Sequence, residues 1–179
     1  MQFTSLALGH YHTCGLVAGG AAYCWGYNGL GQLGDGTTQD RAAPVAVSGG
    51  LTFTSLGLGG SGWTCGLTGE GRAYCWGYND LGQLGDGTLL NRSAPVAVSG
   101  GRVFISLATA AEHTCGLIAG GAAYCWGENV NGQSGDGTNE RHSLPVAVSG
   151  GRTFTSLATG SSSGHTCGLE PSGAAYCWG

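Results

Sequence analysis

His12-Thr13-Cys14-Gly15-Leu16, a short gap, then Ala22-Tyr23-Cys24-Trp25-Gly26: this stretch decides the fold, and the chain carries it four times with small changes. The cysteines fall into four pairs, Cys14 with Cys24, Cys65 with Cys75, Cys115 with Cys125 and Cys167 with Cys177, each ten residues apart, and no cysteine stands outside the pattern. Cys14 and Cys24 are symmetric about Gly19, which makes Ala18-Gly19-Gly20 the turn of a β-hairpin. Leu16 then faces Ala22, Gly15 faces Tyr23, and Cys14 faces Cys24. Directly opposed residues of an antiparallel pair have Cα atoms about 4.5–5.5 Å apart, and a disulfide needs roughly 4.4–6.8 Å. The register therefore lets each pair close across its own hairpin. Side chains alternate between faces, so His12, Cys14 and Leu16 share one face. Tyr23 and Trp25 take the other, where Gly15 leaves room for the Tyr23 ring.

Outward from the hairpin, the first cysteines recur at intervals of 51, 50 and 52 residues. A period near 50 indicates a propeller, a solenoid or another array. Each unit holds four strand-like segments, with Gly, Asn or Asp between them. They are Phe3–Leu8 (matched by Phe53–Leu58, Phe104–Thr109 and Phe154–Thr159), His12–Leu16, Ala22–Gly26 and Pro44–Val47 (matched by Pro95–Val98 and Pro145–Val148). No stretch sustains a helical period. Four antiparallel strands per repeat make the blade of a β-propeller. The sequence thus predicts an all-β propeller segment of about three and a half four-stranded blades, each of roughly 50 residues. It reads as a single repeat domain over 1–179, with repeats near 1–50, 51–101, 102–151 and an incomplete 152–179. The third and fourth segments are joined by Asn28–Thr37, recurring as Asn79–Thr88 and as Asn129–Thr138, where Ser134 stands in place of Leu. Gly supplies positive φ there, and Asn and Asp bond their own backbone.

Bulk composition agrees with turn-dense β structure. Among 179 residues 38 are Gly, only 9% are charged, and 41% are hydrophobic, too many for a disordered chain. There is no Lys, the six Arg are scattered singly, and the formal net charge is −4, so the basic stripe of a nucleic-acid binder is missing. No apolar run approaches the roughly 20 residues of a membrane span, so no membrane insertion is expected. Met1–His10 shows no signal peptide.

Eight cysteines allow 105 pairings. Repetition and register favour the four local disulfides over buried free thiols, and zinc usually wants closer spacing. Cys14, Cys24, Cys65, Cys75, Cys115, Cys125, Cys167 and Cys177 are therefore all expected to be structural. Disulfides imply an oxidising compartment, hence an extracellular or cell-surface location. Gly29-Leu30-Gly31-Gln32-Leu33-Gly34 matches the dinucleotide fingerprint, but no helix follows it, and Asp80 replaces the first Gly in the second copy. Asp35, Asp86 and Asp136 recur in Gly-Asp-Gly-Thr without the spacing of an EF-hand and read as turn residues. His12, His113 and His165 precede Thr-Cys, with Trp63 in the second copy, and read as packing residues. No Ser/His/Asp constellation can be built around Ser161–Ser163, and Asn91-Arg92-Ser93 is a lone sequon. No catalytic, metal or cofactor residue is assigned. The positions that vary between repeats precede the cysteine strand or lie in the long loop. Of these, Tyr11, Trp63, Leu89, Leu90, Arg41, Arg92 and Arg141 have the character of interface anchors.

The strings His-Thr-Cys-Gly-Leu, Ala-Tyr-Cys-Trp-Gly, Asn-Gly-Leu-Gly-Gln-Leu-Gly-Asp-Gly-Thr and Pro-Val-Ala-Val-Ser-Gly, at a period near 50, resemble RCC1 (regulator of chromosome condensation) repeats over essentially the whole chain. The paired cysteines resemble a bacterial, often exported branch of that family. The resemblance implies a β-propeller, most often of seven blades. Its members include a nucleotide-exchange factor that docks on chromatin, a UV sensor, enzyme inhibitors and interaction modules. This chain departs from the exchange-factor pattern: its even spacings leave no inserted loop, and no basic tail precedes the first repeat. The long loop and fourth segment occur three times against four for the others, so the chain is expected to be a piece of a longer propeller or to self-associate to close a ring. The expected function is a non-enzymatic scaffold that binds a protein partner through propeller rim loops. The alternative is a regulator of an enzyme such as a small GTPase, by exchange or inhibition.

Overall fold

The computed structural model describes residues 1–160 and 164–179, which form fifteen strands and no helix. The first blade is β1 (Phe3–Leu8), β2 (His12–Val17), β3 (Ala22–Gly26) and β4 (Arg41–Ala46). The second is β5 (Ser55–Gly59), β6 (Trp63–Leu67), β7 (Ala73–Gly77) and β8 (Arg92–Ala97). The third is β9 (Phe104–Thr109), β10 (His113–Ile118), β11 (Ala123–Gly127) and β12 (His142–Ala147). β13 (Ser156–Thr159), β14 (Thr166–Leu169) and β15 (Ala175–Trp178) form a three-stranded sheet. Within each sheet every strand pairs antiparallel with its chain neighbours, and no connection crosses. β1, β5, β9 and β13 lie against one another, which puts the first strands on the inside of the arc and β4, β8 and β12 outside.

The hairpin register is the one read from the cysteines: Cys14↔Cys24, Gly15↔Tyr23 and Leu16↔Ala22. The Val17 N–H donates to the Ala21 carbonyl at 3.0 Å. Counting back in steps of two, 14/24 falls on the closer, non-hydrogen-bonded kind of pair. The other hairpins repeat the register, with Cys65 opposite Cys75, Cys115 opposite Cys125, and Cys167 opposite Cys177. A disulfide closes each of the four pairs: Cys14 to Cys24, Cys65 to Cys75, Cys115 to Cys125 and Cys167 to Cys177. No free cysteine is left among the described residues. The bonded Cα atoms lie 4.0–4.1 Å apart, somewhat closer than the separation expected from sequence, because the bridge spans the narrow kind of pair.

Two further expectations need correcting. The fourth strand starts at Arg41, not Pro44, because Gly26 pairs with Arg41 and the ladder is fixed from that end. Pro44, Pro95 and Pro145 sit inside these outer strands, where a missing N–H faces solvent rather than a ladder. The ring over Gly15 is that of Phe3, not Tyr23: a Cβ there would lie 2.5 Å from Phe3 Cδ1. The phenylalanine reaches across from the first strand to meet the tryptophan of the third, with ring centroids 5.5–5.7 Å apart in every blade. The tyrosines lie outside that pair, and Tyr124 and Tyr176 carry the Arg102 and Arg152 guanidinium groups over their faces.

The core is a series of seams between blades. The Cys14–Cys24 face of the first blade packs with Leu33 against Leu56 and Leu58 of the second, while Leu16 and Ala22 pack on Phe53 and Trp76. In the next seam Cys65 and Cys75 pack with Leu84, Phe104 and Trp126. Each seam thus joins the cysteine face of one blade to the Phe/Trp face of the next. Fully burying one such apolar side chain stabilises by about 1.5–3 kcal/mol.

Candidate interaction surface on the rim loops

Loops leave the blades at two edges. The β1–β2 and β3–β4 connections and their counterparts form one rim, called upper here, and the β2–β3 and β4–β5 connections form the lower rim. Backbone hydrogen bonds tie loops of the same rim together. On the upper rim Gly36 N–H donates to Ser93 and Gly60 N–H to Ala110, and on the lower rim Phe53 N–H donates to Gly20.

The long upper loop is built around a buried asparagine and a carboxylate. Asn28 Oδ1 accepts the Leu33 N–H at 2.9 Å, and Asn28 Nδ2 donates to Asp35, Thr37 and Gln39. Asp35 also accepts the Thr37 N–H and hydroxyl and the Arg41 guanidinium at 2.7 Å. Burial alone would raise Asp35, but the bonds from Thr37 and Arg41 outweigh it and hold the carboxyl below its ordinary range. Asp86 repeats this with Thr88 and Arg92. In the third loop His142 takes the arginine's place on Asp136 at 2.8 Å. There Arg141 occupies the position of Asp40 and Asn91, whose side chains accept the Asn28 and Asn79 N–H, so the acceptor for Asn129 is lost. Glu128 supplies it instead, at 3.1 Å, and pairs with Arg141.

The end of this loop interlocks with the following blade. The Gln32 carbonyl accepts Trp76 Nε1–H at 3.0 Å and the Thr64 hydroxyl at 2.9 Å. Gln83 does the same for Trp126 and Thr114, and Gln133 for Trp178 and Thr166. Gly34 is glycine for two reasons: its φ is +69°, and a Cβ would lie 2.6 Å from Trp76 Nε1. Because the Thr64 proton goes to Gln32, its oxygen accepts from His12 Nε2–H at 2.9 Å, which fixes the neutral tautomer. Burial pushes His12 down to about 4, and His113, facing Thr166 and also lowered by His165, down to about 4.

The anchors inferred from sequence separate into three groups. Trp63 is not a surface anchor: it is 0% exposed, fills the histidine position of the seam between the second and third blades, and reaches toward the Ala111 carbonyl at 3.4 Å. Arg41, Arg92 and Arg141 sit on the upper rim but are engaged by Asp35, Asp86 and Glu128. Tyr11, Leu89 and Leu90 are 70%, 56% and 63% exposed on the same rim. Tyr27 and Val130, which the sequence did not single out, are exposed on this rim too, and Tyr27 stacks edge-on with Tyr11. Ser161–Ser163, singled out for their variation, lie outside the described residues.

Interlocked four-stranded blades with a Gly-Gln-Leu-Gly loop at each seam point to one repeat type. The family model described as "Regulator of chromosome condensation (RCC1) repeat" matches residues 19–62, 70–117 and 120–169, and a second model of the same repeat matches 3–32 and 45–83. This chain belongs to the RCC1 repeat family. Each long match starts at or near the hairpin turn of one blade and runs into the next, so the RCC1 unit is centred on a seam. The chain is 36% identical over 98 residues to the ultraviolet-B receptor UVR8 of Arabidopsis thaliana, covering 54% of this chain and 22% of that protein. Among solved structures it resembles human WBSCR16 (TM-score 0.87, 21% identity, 99% of this chain and 47% of that one). It also resembles yeast RCC1 (Prp20) bound to Kap60 (TM-score 0.81, 24% identity, 99% and 43%). The chain therefore spans less than a quarter of UVR8 and less than half of either solved chain.

Proposed function

We propose that this RCC1-repeat chain is a non-enzymatic protein-interaction scaffold, exported or displayed at the cell surface, that binds its partner through rim loops. One observation carries the reading. The polar groups that recur from blade to blade are bonded inside loops and seams, while Tyr11, Leu89 and Leu90, at positions that differ between blades, stand exposed on a rim. The two histidines with displaced titration are buried in seams, 3% and 1% exposed. Yeast RCC1 supplies a family precedent in its complex with Kap60, at an identity that carries the fold alone. Four disulfides support an oxidising compartment. The enzyme-regulator alternative draws on no particular residue of this chain.

The test is site-specific photo-crosslinking in the native host, with the probe at Tyr11 or Leu89 on the rim and at Ala42 on an outer strand, together with a count of free thiols in the same material. The scaffold reading expects a discrete protein adduct from the rim positions only, and no free thiols. Adducts from Ala42 alone, or no adduct at all, overturn the binding claim. Eight reactive thiols overturn export.

A further inference from the structure

The two rims differ in charge and in apolar exposure. Every charged side chain lies at one rim or the other. The upper rim carries eight carboxylates against three arginines, and the lower rim three arginines against two glutamates. Pairing sharpens the difference. The upper arginines are held by Asp35, Asp86 and Glu128, and Asp136 is held by His142. This leaves Asp40, Asp80, Glu112 and Glu140 exposed, with no ion-pair partner among the described residues. On the lower rim Arg72 meets Glu70, Arg152 meets Glu170, and Arg102 lies over the Tyr124 ring, so both of its carboxylates are paired. The uncompensated carboxylates share their rim with exposed apolar side chains. Tyr11, Tyr27, Leu89, Leu90 and Val130 are exposed in upper loops, while Val103 is the lower loops' exposed large hydrophobic residue. The negative field is felt at the rim itself: Tyr78 is held above its ordinary range by burial first, and then by Asp80 and Glu112.

Resting on the scaffold reading, we propose that the upper rim is the docking face, and that its partner is a basic polypeptide segment whose lysines or arginines meet Asp40, Asp80, Glu112 and Glu140 while apolar side chains cover Tyr11, Tyr27, Leu89 and Leu90. Charge complementarity selects this occupant. An acidic segment or a phosphate backbone meets like charge on this rim, which opposes association. Lysine and arginine also lay apolar stems along aromatic and aliphatic surface while their heads reach carboxylates, so one segment satisfies both features. Exposed carboxylates act over about 8 Å at physiological salt, so the charge contribution is screened by salt and the apolar one is not.

The experiment measures fluorescence anisotropy of a labelled peptide rich in lysine, arginine and leucine against the purified chain, at low and high salt. A second peptide, with glutamate at every basic position, is the comparison. Three variants are used: D40N/D80N/E112Q/E140Q, L89S/L90S, and the lower-rim control E70Q/E170Q. All the changed side chains are exposed except the partly buried Glu170, and a thermal melt of each confirms an unchanged fold. Neutralising four upper carboxylates should weaken basic-peptide binding by roughly tenfold at low salt and much less at high salt. L89S/L90S should weaken it several-fold at both, and E70Q/E170Q should leave it within about twofold. Equal binding of the glutamate peptide, no loss in the neutralised variant, or an equal loss in the lower-rim control overturns the proposal. A rim crosslink in the host to a partner segment without basic residues removes this inference and leaves the scaffold reading standing. The absence of any rim crosslink removes the scaffold reading itself.

Discussion

The seams between blades and the loops of the upper rim come from the same repeat and obey opposite rules. At the three seams the interlock is nearly identical: a Gln carbonyl takes a Trp N–H and a Thr hydroxyl from the next blade, beside a glycine that must lack a side chain. At the rim Tyr11 and Glu112 are equivalent residues with different chemistry, as are Gln39, Leu90 and Glu140, and all of them are exposed. The difference teaches where selection has room to act. A seam residue has a partner in another blade and a fixed volume, so a change there is paid for in stability. A rim residue has water on one side and can change its chemistry without disturbing the arc.

The largest break in that comparison is Trp126→Ala. It removes a fully buried ring and one of the two donors to the Gln83 carbonyl, and it should cost about 3–5 kcal/mol in urea or thermal unfolding. Next is acid. His12 and His113 titrate near 6.5 in the unfolded chain and near 4 when folded. Between those pH values the unfolded state binds more protons, so stability falls as pH drops, by about 3 kcal/mol in all for each histidine. Replacing both with Gln should flatten the profile over that window. The seam with Trp63 in the histidine position has no such group and should be insensitive. Gly34→Ala should cost about 2 kcal/mol or more, from its φ of +69° and its collision with Trp76. Gly36→Ala, at φ +87° with nothing within 4 Å, should cost about 1 kcal/mol from backbone strain alone.

Smaller still is Ser134→Leu. Leu33 and Leu84 are buried at the equivalent positions, whereas Ser134 is buried with its hydroxyl unpartnered. The substitution should stabilise by about 1–2 kcal/mol, read as a raised melting temperature. At the bottom of the scale, Leu89→Ser on the rim should stay within about 0.5 kcal/mol in the same assay. If Leu89→Ser proved as costly as Trp126→Ala, the division between seam and rim would fail.

Much of each blade was readable from sequence because the hairpin is local. Two cysteines ten residues apart fix a register, and a register fixes which faces are shared. The same spacing placed Cys75, Cys125 and Cys177 opposite their partners in the later blades. What joins one blade to the next was not readable. The Gln32 carbonyl meets Trp76, 44 residues away, through a backbone atom that leaves no mark on composition. Trp63 looked like an anchor because it broke the histidine pattern. Only the packing of the third blade shows that a larger apolar ring can fill the same buried slot. Arg41 and Arg92 looked free because Asp35 and Asp86 had been read as turn residues alone, when each carboxylate has one oxygen for the turn and one for the arginine. The exposed Tyr11, Leu89 and Leu90 were legible because each stands at a position that varies among the internal copies, four for Tyr11 and three for the long loop.

Hydrogen–deuterium exchange of the chain with and without the basic peptide tests the central claim most directly, since it reads every loop in one experiment. The account predicts added protection in the upper loops, residues 9–11, 27–40, 78–91, 110–112 and 128–141, with the lower turns 18–21, 68–72 and 98–103 unchanged. Protection confined to the lower turns, or spread evenly over both rims, would contradict it.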